Sequence, residues 1–132
     1  MAVSSDYLAY VLDQFAPFAK LTSRRMFGAI GLYWNSHFIA VIDDDTLYLK
    51  ADDSNRNEFL SRGCRPFQPT PDMTSMNYYE APQEVLEDSD ALESWARKSY
   101  AIAARQALAK AAKKSKKTSG TKRSAKRKAT SR

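Results

Sequence analysis

The sequence predicts an α+β fold: an antiparallel sheet of about five strands, a meander followed by a hairpin, flanked by helices. Three observations carry this. Residues 24–51 alternate apolar side chains through two short polar breaks, Asn35-Ser36 and Asp43-Asp44-Asp45, and runs rich in Ile, Val, Tyr, Phe and Trp between such clusters mark an antiparallel meander. Residues 64–68 and 73–80 read as two further strands, the first close to prolines and the second rich in tyrosine and methionine. On either side stand segments whose apolar residues recur at helical spacing.

The first helix can be capped by Ser4 or Ser5, carries Leu8, Val11, Leu12 and Phe15 in one stripe and closes at Pro17. Three strands follow, from Arg24 to Trp34, from His37 to Ile42 and from Leu47 to Ala51. In the first, Met26, Ile30, Leu32 and Trp34 share a parity with Gly28, and Phe27, Ala29 and Tyr33 share the other with Gly31. In the second, Phe38, Ala40 and Ile42 oppose Ile39 and Val41. Neither face is patterned for water, so either helices cover both or a second subunit covers one. Glycines inside a strand mark a bulge or a close backbone approach. A phosphate-cradling loop would need a lysine and a following helix, which Gly28-Ala29-Ile30-Gly31 lacks.

Asp52 or Asp53 is expected to cap a short helix over residues 55–60, anchored by Phe59 and Leu60 and ended by Gly63. Residues 64–68, followed by Pro69 and Pro71, suit an edge strand. In the last strand Tyr78 and Tyr79 must face opposite sides; such a pair can stack bases, although a packed tyrosine is the ordinary outcome. A turn of helix begins at Pro82. The final helix is expected to start at Ser89 or Asp90, with Glu93 placed for a capping box and Leu92, Trp95, Ala96, Ser99 and Ala103 along one face. From Ala101 to Ala112 it turns alanine-rich, which favours helix without requiring burial.

A chain of 132 residues with 15 aromatic side chains suits one domain with one core. Its longest purely apolar run, residues 38–42, falls far short of the ~20 residues of a membrane span. No basic residue precedes Lys20, so no secretory signal and no membrane partner are expected; a single cysteine suits a reducing cytoplasm. No catalytic residue, metal site or cofactor is predicted. Asp43-Asp44-Asp45 reads as a solvated turn rather than a cation loop, and His37 is the only partner the chain offers Cys64 for nucleophilic chemistry.

Charge divides the chain more sharply than hydropathy does. Residues 1–109 hold 10 Lys/Arg against 15 Asp/Glu, a balance of −5, whereas residues 110–132 hold 11 Lys/Arg and no acid. This places a globular domain at 1–109 and a basic tail at 110–132. From Lys113 onward no apolar residue exceeds alanine, so ordering the tail would cost about 1.5 kcal/mol per residue with little burial in return, and no ordered structure is expected there. Lys113, Lys114, Lys116, Lys117, Lys122, Arg123, Lys126, Arg127 and Lys128 are the candidate contacts to DNA or RNA phosphates.

Four motifs, in order, carry a family resemblance. Arg24-Arg25-Met26-Phe27-Gly28 followed by Gly31-Leu32-Tyr33, then residues 47–52, then residues 76–86 with Tyr78 and Tyr79, then Trp95-Ala96 together resemble the TfoX (Sxy) N-terminal domain family over roughly residues 5–108. The resemblance implies an antiparallel α/β domain of secretion-chaperone-like arrangement, a regulatory role of the competence-regulator kind exercised beside a transcription factor, and no catalytic residue. Full-length competence regulators of this type carry a second helical domain where this chain carries the basic tail. The expectation is therefore a non-enzymatic protein that keeps the domain without that promoter-specific partnership, its tail adding sequence-independent nucleic-acid affinity. The alternative is an interaction module, a homodimer or adaptor, with no nucleic-acid role. Gly28-Ala29 stands where many relatives have two glycines.

Overall fold

A computed structural model describes residues 4–26, 28–70 and 72–121. Helix α1 (Ser5–Phe15) leads into strands β1 (Thr22–Met26), β2 (Ala29–Trp34), β3 (His37–Asp43) and β4 (Thr46–Lys50). Helix α2 (Arg56–Leu60) follows, then β5 (Pro66–Thr70) and β6 (Met73–Glu80), and the chain ends in α3 (Gln83–Leu86) and α4 (Ser89–Thr121). The strands form one sheet in the order β1-β2-β3-β4-β6-β5, every pair antiparallel. This is the expected α+β architecture, with β5 at an edge, where prolines are tolerated.

The sheet has six strands because the first expected strand is two. Gly28 has φ +82°, a conformation glycine takes without a Cβ penalty. The chain reverses there, and Met26 pairs with Ala29. Gly31 answers a different need: a Cβ on it would lie 2.8 Å from Met26 Cε and 2.8 Å from Phe38 Cε1. The later hairpins turn on pairs of left-handed residues, Asn35-Ser36 and Asp44-Asp45, with φ between 50° and 71°. Two-residue loops of this hand match the twist of the strands they join, and Asn and Asp tolerate it best after glycine.

All four described helices pack on one side of the sheet. Leu32, Ile42, Leu47, Leu49 and Tyr79 meet Val11 and Phe15 of α1, Phe59 of α2, Val85 and Leu86 of α3, and Leu92 and Ala96 of α4 in a single core. Phe59 is its hinge between layers, stacked on Tyr79 at 5.5 Å and edge-on to Trp95 at 4.9 Å. A bulge in β3 helps fill this side. Leu32 pairs with Ala40 but Tyr33 with Phe38, so Ile39 is an extra residue and joins Ala40 and Ile42 in the core.

Helix α1 begins as expected, whereas α2 and α4 differ in detail at their caps. Ser4 caps α1, its Oγ accepting the Tyr7 N–H at 3.1 Å. At α2 the cap position is Asn55, not Asp52 or Asp53, and its side chain serves the strand instead: Nδ2 donates to the Lys50 carbonyl and Oδ1 accepts the Asp52 N–H. Asn55 is buried, and a buried amide must spend its hydrogen bonds on what surrounds it. At α4 the Asp88 carboxylate accepts the Asp90 and Ala91 N–H groups, so the cap lies one residue before Ser89. Glu93 makes no capping box; it pairs with Arg97 at 2.7 Å.

Helix α4 continues without a break past residue 109 to Thr121. Residues 113–121 therefore differ from the structureless tail expected from Lys113. Residues 122–132 lie outside the described residues.

Candidate functional site

No described helix covers the second face of the sheet, and the aromatic residues on it form a connected patch. Alternation puts Tyr48 and Lys50 opposite the buried Leu47 and Leu49 of β4, and brings Arg24, Met26, Ala29, Gly31, Tyr33, Phe38 and Val41 to the same side. Tyr33 stacks on Phe38 at 5.1 Å, Phe38 meets Tyr78 at 5.7 Å, Tyr78 meets Phe67 at 6.4 Å and Phe67 meets Tyr48 at 5.0 Å. Burial pushes the Tyr78 hydroxyl up to about 12, with Tyr33 adding to the effect.

Two cations lie on these rings. The Arg24 guanidinium sits 6.0 Å from the Tyr33 centroid. Lys50 Nζ sits 5.5 Å from Phe38 and 5.2 Å from Tyr78, and donates to Gln106 Oε1 of α4 at 3.3 Å. Its backbone is held firmly, since the Lys50 carbonyl accepts both Ser99 Oγ at 2.8 Å and Asn55 Nδ2 at 3.3 Å. Among the described residues Lys50 has no carboxylate partner, and burial lowers its ammonium below the ordinary lysine value. Beside it the face deepens into a groove of about 530 Å³, lined by Met26, Ala29, Phe38, Val41 and Asp43 on one side and by the β5–β6 hairpin on the other.

The structure distributes the sequence-predicted residues as follows. Arg24, Arg25 and Met26 lie in β1, an edge strand; Arg24 is on the open face, while Arg25 pairs opposite the buried Ile30 and is itself exposed. Phe27 lies outside the described residues, Gly28 is the turn, and Gly31 is the tight crossing beneath Met26 and Phe38. Tyr78 and Tyr79 do face opposite sides. Tyr79 is fully buried, its hydroxyl donating to Met76 Sδ at 3.7 Å, so of the pair only Tyr78 reaches the open face. Lys113, Lys114, Lys116 and Lys117 fall within the span of α4, whereas Lys122, Arg123, Lys126, Arg127 and Lys128 lie outside the described residues.

His37 and Cys64 are not brought together. His37 packs on Tyr100 at 5.1 Å, and Cys64 lines a separate cleft with Arg62, Glu80 and Glu84. Burial, with Glu80 and Glu84 adding to it, pushes the Cys64 thiol up and so away from thiolate chemistry. Asp43, Asp44 and Asp45 belong to the β3–β4 turn, where Asp45 Oδ1 accepts the Ser4 N–H at 2.8 Å and ties α1 to the sheet. Among the described residues no group of three or more His, Cys, Asp or Glu side chains could hold a metal ion. No described helix is long and apolar enough to cross a membrane.

The sequence reading missed Lys50 as a site residue, although the signal was present. In Leu47-Tyr48-Leu49-Lys50 the two leucines fix the buried parity, which leaves Lys50 beside Tyr48 on the other face.

By class, then, the protein is an α+β domain built on one antiparallel sheet with helices on a single side. Residues 13–103 match the TfoX N-terminal domain, and the chain belongs to that family. No curated protein matches the sequence.

Proposed function

We propose that this protein is a non-enzymatic, cytoplasmic regulator of the competence-regulator type whose basic C-terminal segment supplies sequence-independent affinity for DNA or RNA. Family membership supports the regulatory role. The observation that carries the nucleic-acid part is the charge division: a body of balance −5 precedes a segment of 11 Lys/Arg with no acid. Such a segment binds phosphates by releasing counterions and reads no base edges. Target choice then falls to a partner of the folded body, such as a transcription factor.

The test is a titration of labelled arbitrary-sequence duplex DNA across salt, with the full chain and with a full-length variant carrying Lys113→Gln, Lys114→Gln, Lys116→Gln and Lys117→Gln. If these lysines contact phosphates, the slope of log K against log salt falls by up to about 0.9 per lysine removed. Absence of binding by the full chain at moderate salt would remove the nucleic-acid reading.

A second reading, an interaction module acting as homodimer or adaptor, draws on the helix-free sheet face. Light scattering at high protein concentration tests it; a strict monomer argues against self-association.

A further inference from the structure

We infer that the groove in the helix-free sheet face is a binding site for a small amphiphilic anion, its apolar body lying along β3 and its carboxylate or phosphate head seated on Lys50. Two independent observations meet at this place. The first is the groove itself, whose volume of about 530 Å³ falls within the ordinary range for small-molecule sites. Its floor is Ala29, Phe38 and Val41, and its rims carry Met26 and Met73, unbranched side chains that adapt to an irregular guest.

The second observation is Lys50, which does not itself line the groove but lies over two rings that do. Phe38 and Tyr78, which line the groove, are the rings on which its ammonium rests. Ring faces and the neutral Gln106 amide solvate that charge without neutralising it. An anion placed there meets a partly desolvated cation, where attraction exceeds that between exposed charges, and it displaces no competing carboxylate among the described residues. Arg24, over Tyr33 on the same face, adds a second positive charge.

Polarity also sets the direction of the ligand. Among the described residues the acid in the groove wall is Asp43, at the opposite end of β3, about 15 Å from the Lys50 end at the rise of a strand. An anionic head is therefore repelled from the Asp43 end and drawn to Lys50, and the apolar body extends toward Met26 and Met73. A neutral amphiphile gains only the apolar contacts. The site works whether or not the C-terminal segment binds nucleic acid, and it gives the folded body a means of answering a metabolite.

The experiment is isothermal titration calorimetry of the full chain with decanoate, decanol and decyltrimethylammonium, each below its aggregation limit, backed by light scattering. The expected result is one decanoate per chain, bound at least tenfold more tightly than decanol, with the cation weakest. Lys50→Met should bring decanoate down to the level of decanol, and Lys50→Arg should retain most of the preference. Ser75→Trp, which fills the groove from β6, should weaken decanoate and decanol alike. Equal affinity for the three probes would overturn the proposal, because adsorption to apolar surface would then suffice. It would also be overturned by absence of decanoate binding, or by a dimer that decanoate fails to compete with, since a second copy would then be the occupant.

Discussion

The two faces of the sheet begin from the same kind of sequence and end differently. On the helix side, Leu32, Ile39, Ile42, Leu47 and Leu49 are closed off by four helices. On the other, Tyr33, Phe38, Tyr48, Phe67 and Tyr78 pack chiefly on one another and stay half exposed. The closed side holds mostly branched aliphatics, with Trp34 and Tyr79 buried among them. The open side holds three tyrosines, two phenylalanines and two cations, and the hydroxyls and charges keep it compatible with solvent while the rings offer apolar area. Apolar alternation on both faces thus says that neither is ordinary surface, and residue type says which one the helices take.

The largest test of this contrast is a pair of phenylalanines. Phe59→Ala removes a fully buried ring from between Tyr79 and Trp95 and should cost about 3–5 kcal/mol. Phe38→Ala opens a site that water already reaches, and should cost less than half as much by urea denaturation. Equal losses would mean that the open face is covered in solution, which points to a second copy.

The glycines sharpen the comparison at smaller scale. Gly31→Ala pushes its methyl against Met26 Cε and Phe38 Cε1, an overpacking expected to cost about 1–3 kcal/mol and to disturb the Tyr33–Phe38 stack. Gly28→Ala meets no neighbouring atom within 4 Å but must hold φ near +82°, at a cost of roughly 1–2 kcal/mol. Near-ultraviolet circular dichroism separates them: the first should alter the aromatic signal of the folded state, the second only the midpoint of unfolding.

These positions also mark how far the sequence could be read. The fold class, the edge position of β5, the opposed Tyr78 and Tyr79 and the buried stripe of α4 followed from alternation, proline and helical spacing. The turn at Gly28 did not, because a glycine in an apolar run reads equally as bulge or reversal until its φ is known. Asn55 and Asp88 were missed as caps since adjacent Asp and Asn residues compete for that role, and packing decides among them. The groove was not legible at all. It depends on the β5–β6 hairpin enclosing the same space as β2 and β3, which brings together residues far apart in the sequence.

Alkaline titration probes the open face through its tyrosines. With Tyr78 held near 12 in the folded chain and near its ordinary value of 10 when unfolded, the folded state keeps a proton that the unfolded state releases between those values. Its contribution is whole below pH 10 and is lost as pH rises toward 12. Burial raises Tyr7 and Tyr48 as well, which adds to the same slope. Melting temperature measured from pH 9 to 12 should therefore fall, and fall less steeply in Tyr78→Phe.

The smallest effect is expected at Lys50, and its sign is the informative part. Desolvation depresses its folded pKa below 10.5, so the folded state sheds this proton before the unfolded state does, and the charged lysine is a burden at neutral pH. Lys50→Met keeps the apolar stem over Phe38 and Tyr78 and removes the charge. Its melting temperature at pH 7 should equal or slightly exceed that of the parent, and the rise in stability that Lys50 confers on approaching pH 10.5 should vanish. A clear loss of stability at pH 7 would show that the ammonium holds the two rings in place for the fold's sake. Retention of stability shows instead that the fold does not need the charge, which leaves it free to receive a ligand.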